Sequence, residues 1–374
     1  MRILFVLETM FPLGPAQQAN VLARELADRG WDVHVAILHD SPTSQYRVPE
    51  FCQIHHLEIQ KHDLLSWKKL RKLASGIQPE ICHDWSCNSF VRAAIGDRVP
   101  LVVSFNGFDF HSSPKNLGVL GKQLWDRARN QCHEVYWIVN HESSREKLVA
   151  AGIDAESTSV IAPVAPTIRI SHDEARGRLL AEHRLRDDSI LVGAYAPLVP
   201  AMRLKDLIWA TDLLTCVRDD IHFLLMGAGP QLSRLKRFLR TTEAVGHVHF
   251  LGRLDSANET IAGLNGFWHS HLHQSMPNGI LSAMSAGVPV IGVLGEETES
   301  LLVHQTTGLG VNLGARDEFA RWTKYLIEQP DSAAQLARQG REHLQELLPL
   351  EQFVQAFMDE YEQVCAVSRL NRTR

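Results

Sequence analysis

Several groups of residues have the types and spacing to hold a phosphorylated ligand. Pro277-Asn278-Gly279 leads directly into an apolar stretch of helix-forming residues. A helix starting there turns free backbone N–H groups and its positive dipole end toward an anion. Gly279, lacking a side chain, would let the backbone approach that anion closely. Gly227-Ala228-Gly229-Pro230 follows the strand-like run His222 to Met226, and the carboxyl ends of strands are the usual ligand side of an open α/β sheet. Arg203 and Lys205 open a helical stretch, and Arg253 follows the run Val248 to Leu251. These cations could neutralise an anionic ligand. His83-Asp84, after the run ending at Cys82, and Asp109 with His111 further on, are candidates for a site role at strand ends, a structural role being the alternative.

The elements that must position these groups alternate regularly. Ile3 to Leu7 reads as a buried strand, Ala16 to Arg29 as an amphipathic helix stopped by Gly30, and Trp31 to Ile37 as the next strand. Further strands are expected at Glu80 to Cys82, Leu101 to Phe105, Val135 to Val139 and Ser159 to Ala162, with a helix over Glu142 to Ala151. Ala162-Pro163-Val164-Ala165-Pro166 interrupts the pattern like a hinge. A polar helix follows within Ser171 to Asp188, and the alternation restarts. Strands are expected at Ile190 to Ala194, His222 to Met226, Val248 to Leu251, Phe267 to His269 and Val288 to Val293. Helices are expected at Leu204 to Leu214, Leu232 to Leu239, Ala257 to Leu264, Gly279 to Ala286 and Thr298 to His304. Strands alternating with helices indicate the α/β class with doubly wound parallel sheets.

Composition narrows the function. The chain of 374 residues has room for two domains, and its 45% hydrophobic and 22% charged content is ordinarily globular. A net charge of -5 argues against a general nucleic-acid binder. The six cysteines form no CxxC pair, and reduced thiols in a cytoplasmic protein account for them. Glu8 breaks the opening apolar run too early for a signal peptide, and no window approaches a membrane span. Pro12-Leu13-Gly14-Pro15-Ala16 lacks the GxGxxG fingerprint of a hydride-transfer enzyme. Nineteen histidines invite a metal reading, and His269, His271 and His273 alternate as if on one strand face. No carboxylate or cysteine spacing completes a shell, so no metal site is expected. Leu64 to Leu73 combines Trp67 with Lys68, Lys69, Arg71 and Lys72 at helical spacing. That pattern fits either a solvated basic face or an interfacial helix on anionic lipid.

Gln274-Ser275-Met276-Pro277-Asn278-Gly279-Ile280-Leu281-Ser282-Ala283-Met284-Ser285-Ala286-Gly287-Val288-Pro289-Val290-Ile291 resembles the donor-site signature of the retaining family 4 (group 1) glycosyltransferases. In that family the segment reads approximately E-G-x-P-N-x-x-L-E-A-M-A-x-G-x-P-V-I. Met226 to Pro230, Phe250 to Arg253 and Thr307 to Leu309 agree with the family in order and spacing. So do Gly14-Pro15-Ala16, Arg29 to Val35 and Val102 to Gly107. The resemblance implies the GT-B architecture, two Rossmann-like domains facing each other across a cleft. It places an acceptor-side domain at 1-166, joined by a returning segment at 350-374, and a donor-side domain at 167-349.

The resemblance further implies transfer of a sugar from a nucleotide-diphosphate donor, without a metal or other cofactor, to an unknown glycan, lipid-linked or small-molecule acceptor. A cytoplasmic place, with weak peripheral contact at the inner face of the membrane, goes with it. Gly14, Gly227, Pro277, Asn278, Gly279 and Ser282 then fall at donor-binding positions, with Arg203, Lys205 and Arg253 as candidate phosphate partners. Gln274, Asn106 and His83 fall at or near catalytic positions. The chain departs from the family pattern at several of these places. Gln274 and Ser282 stand where the family has glutamates, Pro197 and Met202 where it has an arginine and a lysine, and Asn106 where it often has a histidine. The alternative is therefore a catalytically inactive relative that binds nucleotide or sugar, or serves as a partner subunit.

Overall fold

The computed structural model describes residues 1–8, 14–39, 52–59, 67–95, 99–105, 135–254, 257–272 and 277–372. The chain divides into two compact units, Met1–Val164 with Leu350–Arg374, and Ala165–Pro349.

The first unit is built on β1 (Arg2–Leu7), α1 (Pro15–Asp28), β2 (Asp32–Ile37), β3 (Gln53–His56), α2 (Lys68–Ile77), β4 (Ile81–Asp84), α3 (Ser89–Ile95), β5 (Leu101–Ser104), β6 (Val135–Val139), α4 (Glu142–Ala150) and β7 (Thr158–Val160). Its parallel sheet runs β3-β2-β1-β4-β5-β6-β7. β1 is apolar without alternation because Ile3 to Leu7 are buried on both faces, as covered parallel strands must be. α1 starts on Pro15, whose missing N–H costs nothing in the first turn, and buries Ala16, Ala19, Leu22, Ala23 and Leu26 against the sheet. Gly30, at φ 83, turns the chain into β2.

The second unit contains α5 (His172–His183), β8 (Ile190–Tyr195), α6 (Leu204–Thr215), β9 (Ile221–Met226), α7 (Leu232–Leu239), β10 (Val248–Gly252), α8 (Ala257–Ala262), β11 (Gly266–His269), α9 (Asn278–Ala286), β12 (Val290–Val293), β13 (Leu309–Val311), α10 (Arg316–Glu328) and α11 (Pro330–Leu347). Its parallel sheet runs β10-β9-β8-β11-β12-β13. Apolar clusters fill both faces, one under α6, α7 and α10, the other under α5, α8 and α9. In both sheets the strand order reverses beside the first strand, at β1/β4 and at β8/β11. Such switch points open a crevice at the carboxyl ends of the strands. The final helix, α12 (Leu350–Arg372), belongs to the first unit and inserts Phe353, Val354, Phe357, Tyr361 and Val364 into the α1 face of its core.

The structure corrects several local expectations. Thr298 to His304 is a series of turns rather than a helix: Thr298 Oγ takes up the Gly295 N–H at 3.0 Å and bonds the Val293 carbonyl at 2.9 Å. Such local side-chain bonds compete with helix formation. β3 and β13 were not expected. Trp67 is 7% exposed and stacks on Phe90 with ring centroids 5.6 Å apart, so it is a core residue and no interfacial anchor. Leu64 to Ser66 of that segment lie outside the described residues.

Candidate functional site

At the carboxyl edge of the second sheet, three loops are laced together through their backbones. Ala196 N–H donates to the Met226 carbonyl at 3.1 Å, and Leu198 N–H to the Ala228 carbonyl at 3.0 Å. Gly227 N–H donates to the Gly252 carbonyl at 2.7 Å, and Gln231 N–H to the Leu198 carbonyl at 2.9 Å. This lacing needs glycine. Gly227 has φ 130, and a Cβ there would overlap the Ala196 carbonyl oxygen. A Cβ at Gly229 would stand 2.6 Å from the Leu198 carbonyl oxygen. The expected glycine loop is therefore a rigid floor of backbone groups at the ends of β8, β9 and β10. Across the switch point, Ser270 Oγ donates to the Met202 carbonyl at 2.7 Å, tying the loop after β8 to the loop after β11. Ser270 carried no recognisable signal in the sequence.

The helix end expected to meet an anion is present. α9 begins at Asn278 after Pro277, and no side chain caps it. Pro277, at the N-cap, offers no side-chain acceptor to the first-turn N–H groups, where Ser, Thr, Asp or Asn usually would. Asn278 is 7% exposed. Gly279, in contrast, serves packing: a Cβ there would meet the Phe267 ring at 2.6 Å. It seats α9 against β11, a packing reason for glycine at this position. Ser282 is fully buried and donates to Asn258 Oδ1 at 2.8 Å, which joins α9 to α8.

The candidate cations are placed unequally. Arg203 is a left-handed residue, φ 51, heading α6, and its guanidinium bonds Asp206 through Nε at 2.8 Å and Nη2 at 2.7 Å. Arg316 Nε approaches the other Asp206 oxygen at 2.8 Å, so one carboxylate holds two guanidiniums. Lys205 Nζ lies 5.1 Å from the Phe238 ring centroid, a cation–π contact facing α7. Arg253 is exposed at the end of β10, beside Tyr195. Burial raises the Tyr195 phenol's pKa, and the Arg253 charge partly opposes the rise. Met202 is fully buried in the core, so this position contributes packing where the family has a cation.

In the first unit, Gly14 precedes α1 with φ 76 and accepts from Gln17 N–H at 3.1 Å. His83 does not reach a surface. It is fully buried at the end of β4, with Nδ1 2.6 Å from the Tyr361 hydroxyl and Nε2 2.8 Å from Ser104 Oγ. The Trp85 ring stacks on it at 4.2 Å. Burial holds its pKa well below the ordinary value, so the ring is neutral and one nitrogen donates while the other accepts. These contacts replace the expected substrate contact by a structural one. Asp84 is likewise internal, accepting from Ser86 N–H at 2.8 Å and Asn88 N–H at 3.0 Å. Burial pushes its carboxyl up to about 7 against the pull of these bonds.

Asn106, Asp109, His111, His273 and Gln274 lie outside the described residues. His269 and His271 are buried with ring centroids 4.1 Å apart, and β11 ends at His269, so the histidines do not alternate along one strand. Among the described residues, no group of three His, Cys, Asp or Glu side chains is arranged to hold a metal ion. None of their helices is long and apolar enough to cross a membrane.

Two parallel doubly wound sheets, one in each unit, are the arrangement of the GT-B class, and comparison with known proteins agrees. The model described as Glycosyltransferase Family 4 matches residues 14–167, and that described as Glycosyl transferases group 1 matches 189–329. The chain belongs to these group 1, family 4 glycosyltransferases. The lipopolysaccharide core biosynthesis glycosyltransferase LpsE of Rhizobium meliloti (strain 1021) is 26% identical over 178 residues, 47% of this chain and 52% of that one. The match thus spans about half the length of that relative. HepE of Anabaena, crystallised with UDP and glucose, superposes with a TM-score of 0.73 at 18% identity, covering 97% of this chain and 100% of that one. Sucrose-phosphate synthase of Thermosynechococcus elongatus gives 0.75 at 16% identity, covering 98% and 100%.

Proposed function

We propose that the protein transfers a sugar from a nucleoside-diphosphate sugar, and that its second unit holds the donor. The observation carrying this reading is the laced edge at the ends of β8, β9 and β10, on the same side of the sheet as the start of α9 at Asn278. HepE, of the same fold, was crystallised with UDP and glucose, which supports a uridine nucleotide as the first donor to try. In this reading the diphosphate lies against the N–H groups of Asn278 and Gly279 with Pro277 as the turn, and Arg253 supplies the exposed cation. Arg203 and Lys205 would contribute only by leaving Asp206 and Phe238. Ser282 acts indirectly, by holding α9 on α8. Gln274 and Asn106 are assigned to the reacting sugar. No metal is assigned a part, so chelation by EDTA should leave transfer unchanged.

Calorimetric titration with UDP, GDP and ADP, followed by transfer from the matching donor sugar to an acceptor panel, tests this. Binding of one nucleotide that Arg253→Ala weakens about tenfold or more, the effect of losing one charge-assisted hydrogen bond, supports the reading. No binding of any nucleotide at millimolar concentration would end it. Binding without transfer to any acceptor would instead mark a catalytically inactive, nucleotide-binding relative.

A further inference from the structure

The outer face of α6 and α7 has a composition that the donor site does not account for. From Gln231 to Thr242 the sequence holds Arg234, Lys236, Arg237 and Arg240 and no acidic residue, in a chain whose net charge is -5. All these cations are exposed. Among the described residues none of them has a carboxylate partner. Cations in the last turn complement a helix dipole, which accounts for Lys236 and Arg237 in part. It does not account for Arg234 near the start of the helix.

An apolar stripe adjoins these charges. Trp209 is 40% exposed and Leu213, one turn on, is 39% exposed. The Trp209 ring stacks on Phe238 of α7 at 6.3 Å, so the stripe and the cationic helix form one continuous surface. Asp212 and Glu243 stand at its far end, where Asp212 Oδ1 accepts from the Glu243 N–H at 2.7 Å. Positive charge is thus concentrated on the Trp209 and α7 side. The basic helix α2 lacks this combination, because Trp67 is buried and no large hydrophobic side chain along α2 is exposed.

We propose that the α6–α7 face docks on an anionic lipid bilayer, with Trp209 and Leu213 entering the interface and the α7 cations meeting lipid phosphates. An exposed indole beside Lys236 and three arginines that have no carboxylate partner suits this boundary, since the ring prefers the headgroup level and the cations the negative surface. The charges of α2 are then a solvated face.

The test is co-sedimentation of the full chain with phosphatidylcholine vesicles, with and without phosphatidylserine, read together with the tryptophan emission maximum. Binding should require phosphatidylserine, weaken with added salt and shift the emission to the blue. Replacing Arg234, Lys236, Arg237 and Arg240 together by Gln should lower partitioning about a hundredfold or more, as each cation near an anionic surface is worth roughly a factor of five. Trp209→Ala should weaken binding and remove much of the blue shift, while Trp209→Phe keeps most of the affinity. Neutralising Lys68, Lys69, Arg71 and Lys72 should have little effect. Thermal melts of each variant separate loss of docking from loss of fold. Absence of binding to the anionic vesicles, equal binding to neutral ones, or loss only with the α2 variant would overturn the proposal. Neither emission nor sedimentation depends on sugar transfer, so the donor reading can fail independently.

Discussion

The hydroxyl of Tyr361 lies 2.6 Å from Nδ1 of His83, although they stand 278 positions apart in the chain. The pair fastens α12 to β4, and through Ser104 to β5, in the middle of the first unit's core. Both groups are fully buried, so removing one leaves the other without its partner. Tyr361→Phe should destabilise the protein by about 1–3 kcal/mol, the cost of an unsatisfied buried polar group. Urea unfolding checks it, with a lowered midpoint and an unchanged slope. An unchanged midpoint would show that water replaces the hydroxyl.

Gly227→Ala should damage the donor edge. The new Cβ would overlap the Ala196 carbonyl in a backbone conformation that L-residues rarely adopt. A loss of about 2 kcal/mol or more is expected from such strain. Gly76→Ala, at a helical position with open space around it, is the control and should be neutral or stabilising. Melting temperatures and nucleotide titration measure both.

Ser282 tests the departure from the family signature. Ser282→Ala should cost about 1 kcal/mol through its lost bond to Asn258. Ser282→Glu, which restores the residue type of the family, should cost more, because it places a carboxylate in a site with no exposure. If Ser282→Glu melts at the native temperature and binds nucleotide more tightly, α9 can rotate to expose this position.

The histidines at the edge of the second sheet predict acid sensitivity. His222 Nδ1 is 3.2 Å from His249 Nε2, and His222 stacks on His247 at 5.2 Å. Burial, then repulsion from neighbouring histidines, lowers His249 from 6.5 to about 4. His222 is lowered for the same first reason. Between these values the unfolded chain binds protons that the folded one refuses. Stability therefore falls as pH drops from about 6.5 toward 4 and gains nothing from these groups above 6.5. Melting temperature against pH should show this limb, flattened in His249→Gln. Equal limbs in both proteins would assign the acid sensitivity to other groups.

Much of the fold was legible because burial leaves a periodic trace. β1, β2, α1 and α6 follow from apolar spacing and glycine stops. β3, with the sequence Gln53-Ile54-His55-His56, was missed because it is polar and only partly buried. β13 is too short, at three residues, to show a period. The candidate site was legible in kind and misread in detail. Gly279 and Ser282 lie on a recognisable helix start, yet their neighbours Phe267 and Asn258 are remote in sequence. The burial of His83 depends on Trp85, Phe357 and Tyr361, a set that only the fold assembles.

The return of α12 to the first unit has a consequence for how the protein is made. On the ribosome the whole of Ala165–Pro349 emerges before the helix that completes the core around His83. The second unit can close on its own contacts while the first still exposes the apolar groove that awaits Phe353, Phe357 and Tyr361. The order of maturation is thus inverted, with the amino-terminal unit finishing last. A nascent chain halted between Val164 and α12 presents that groove to chaperones and proteases.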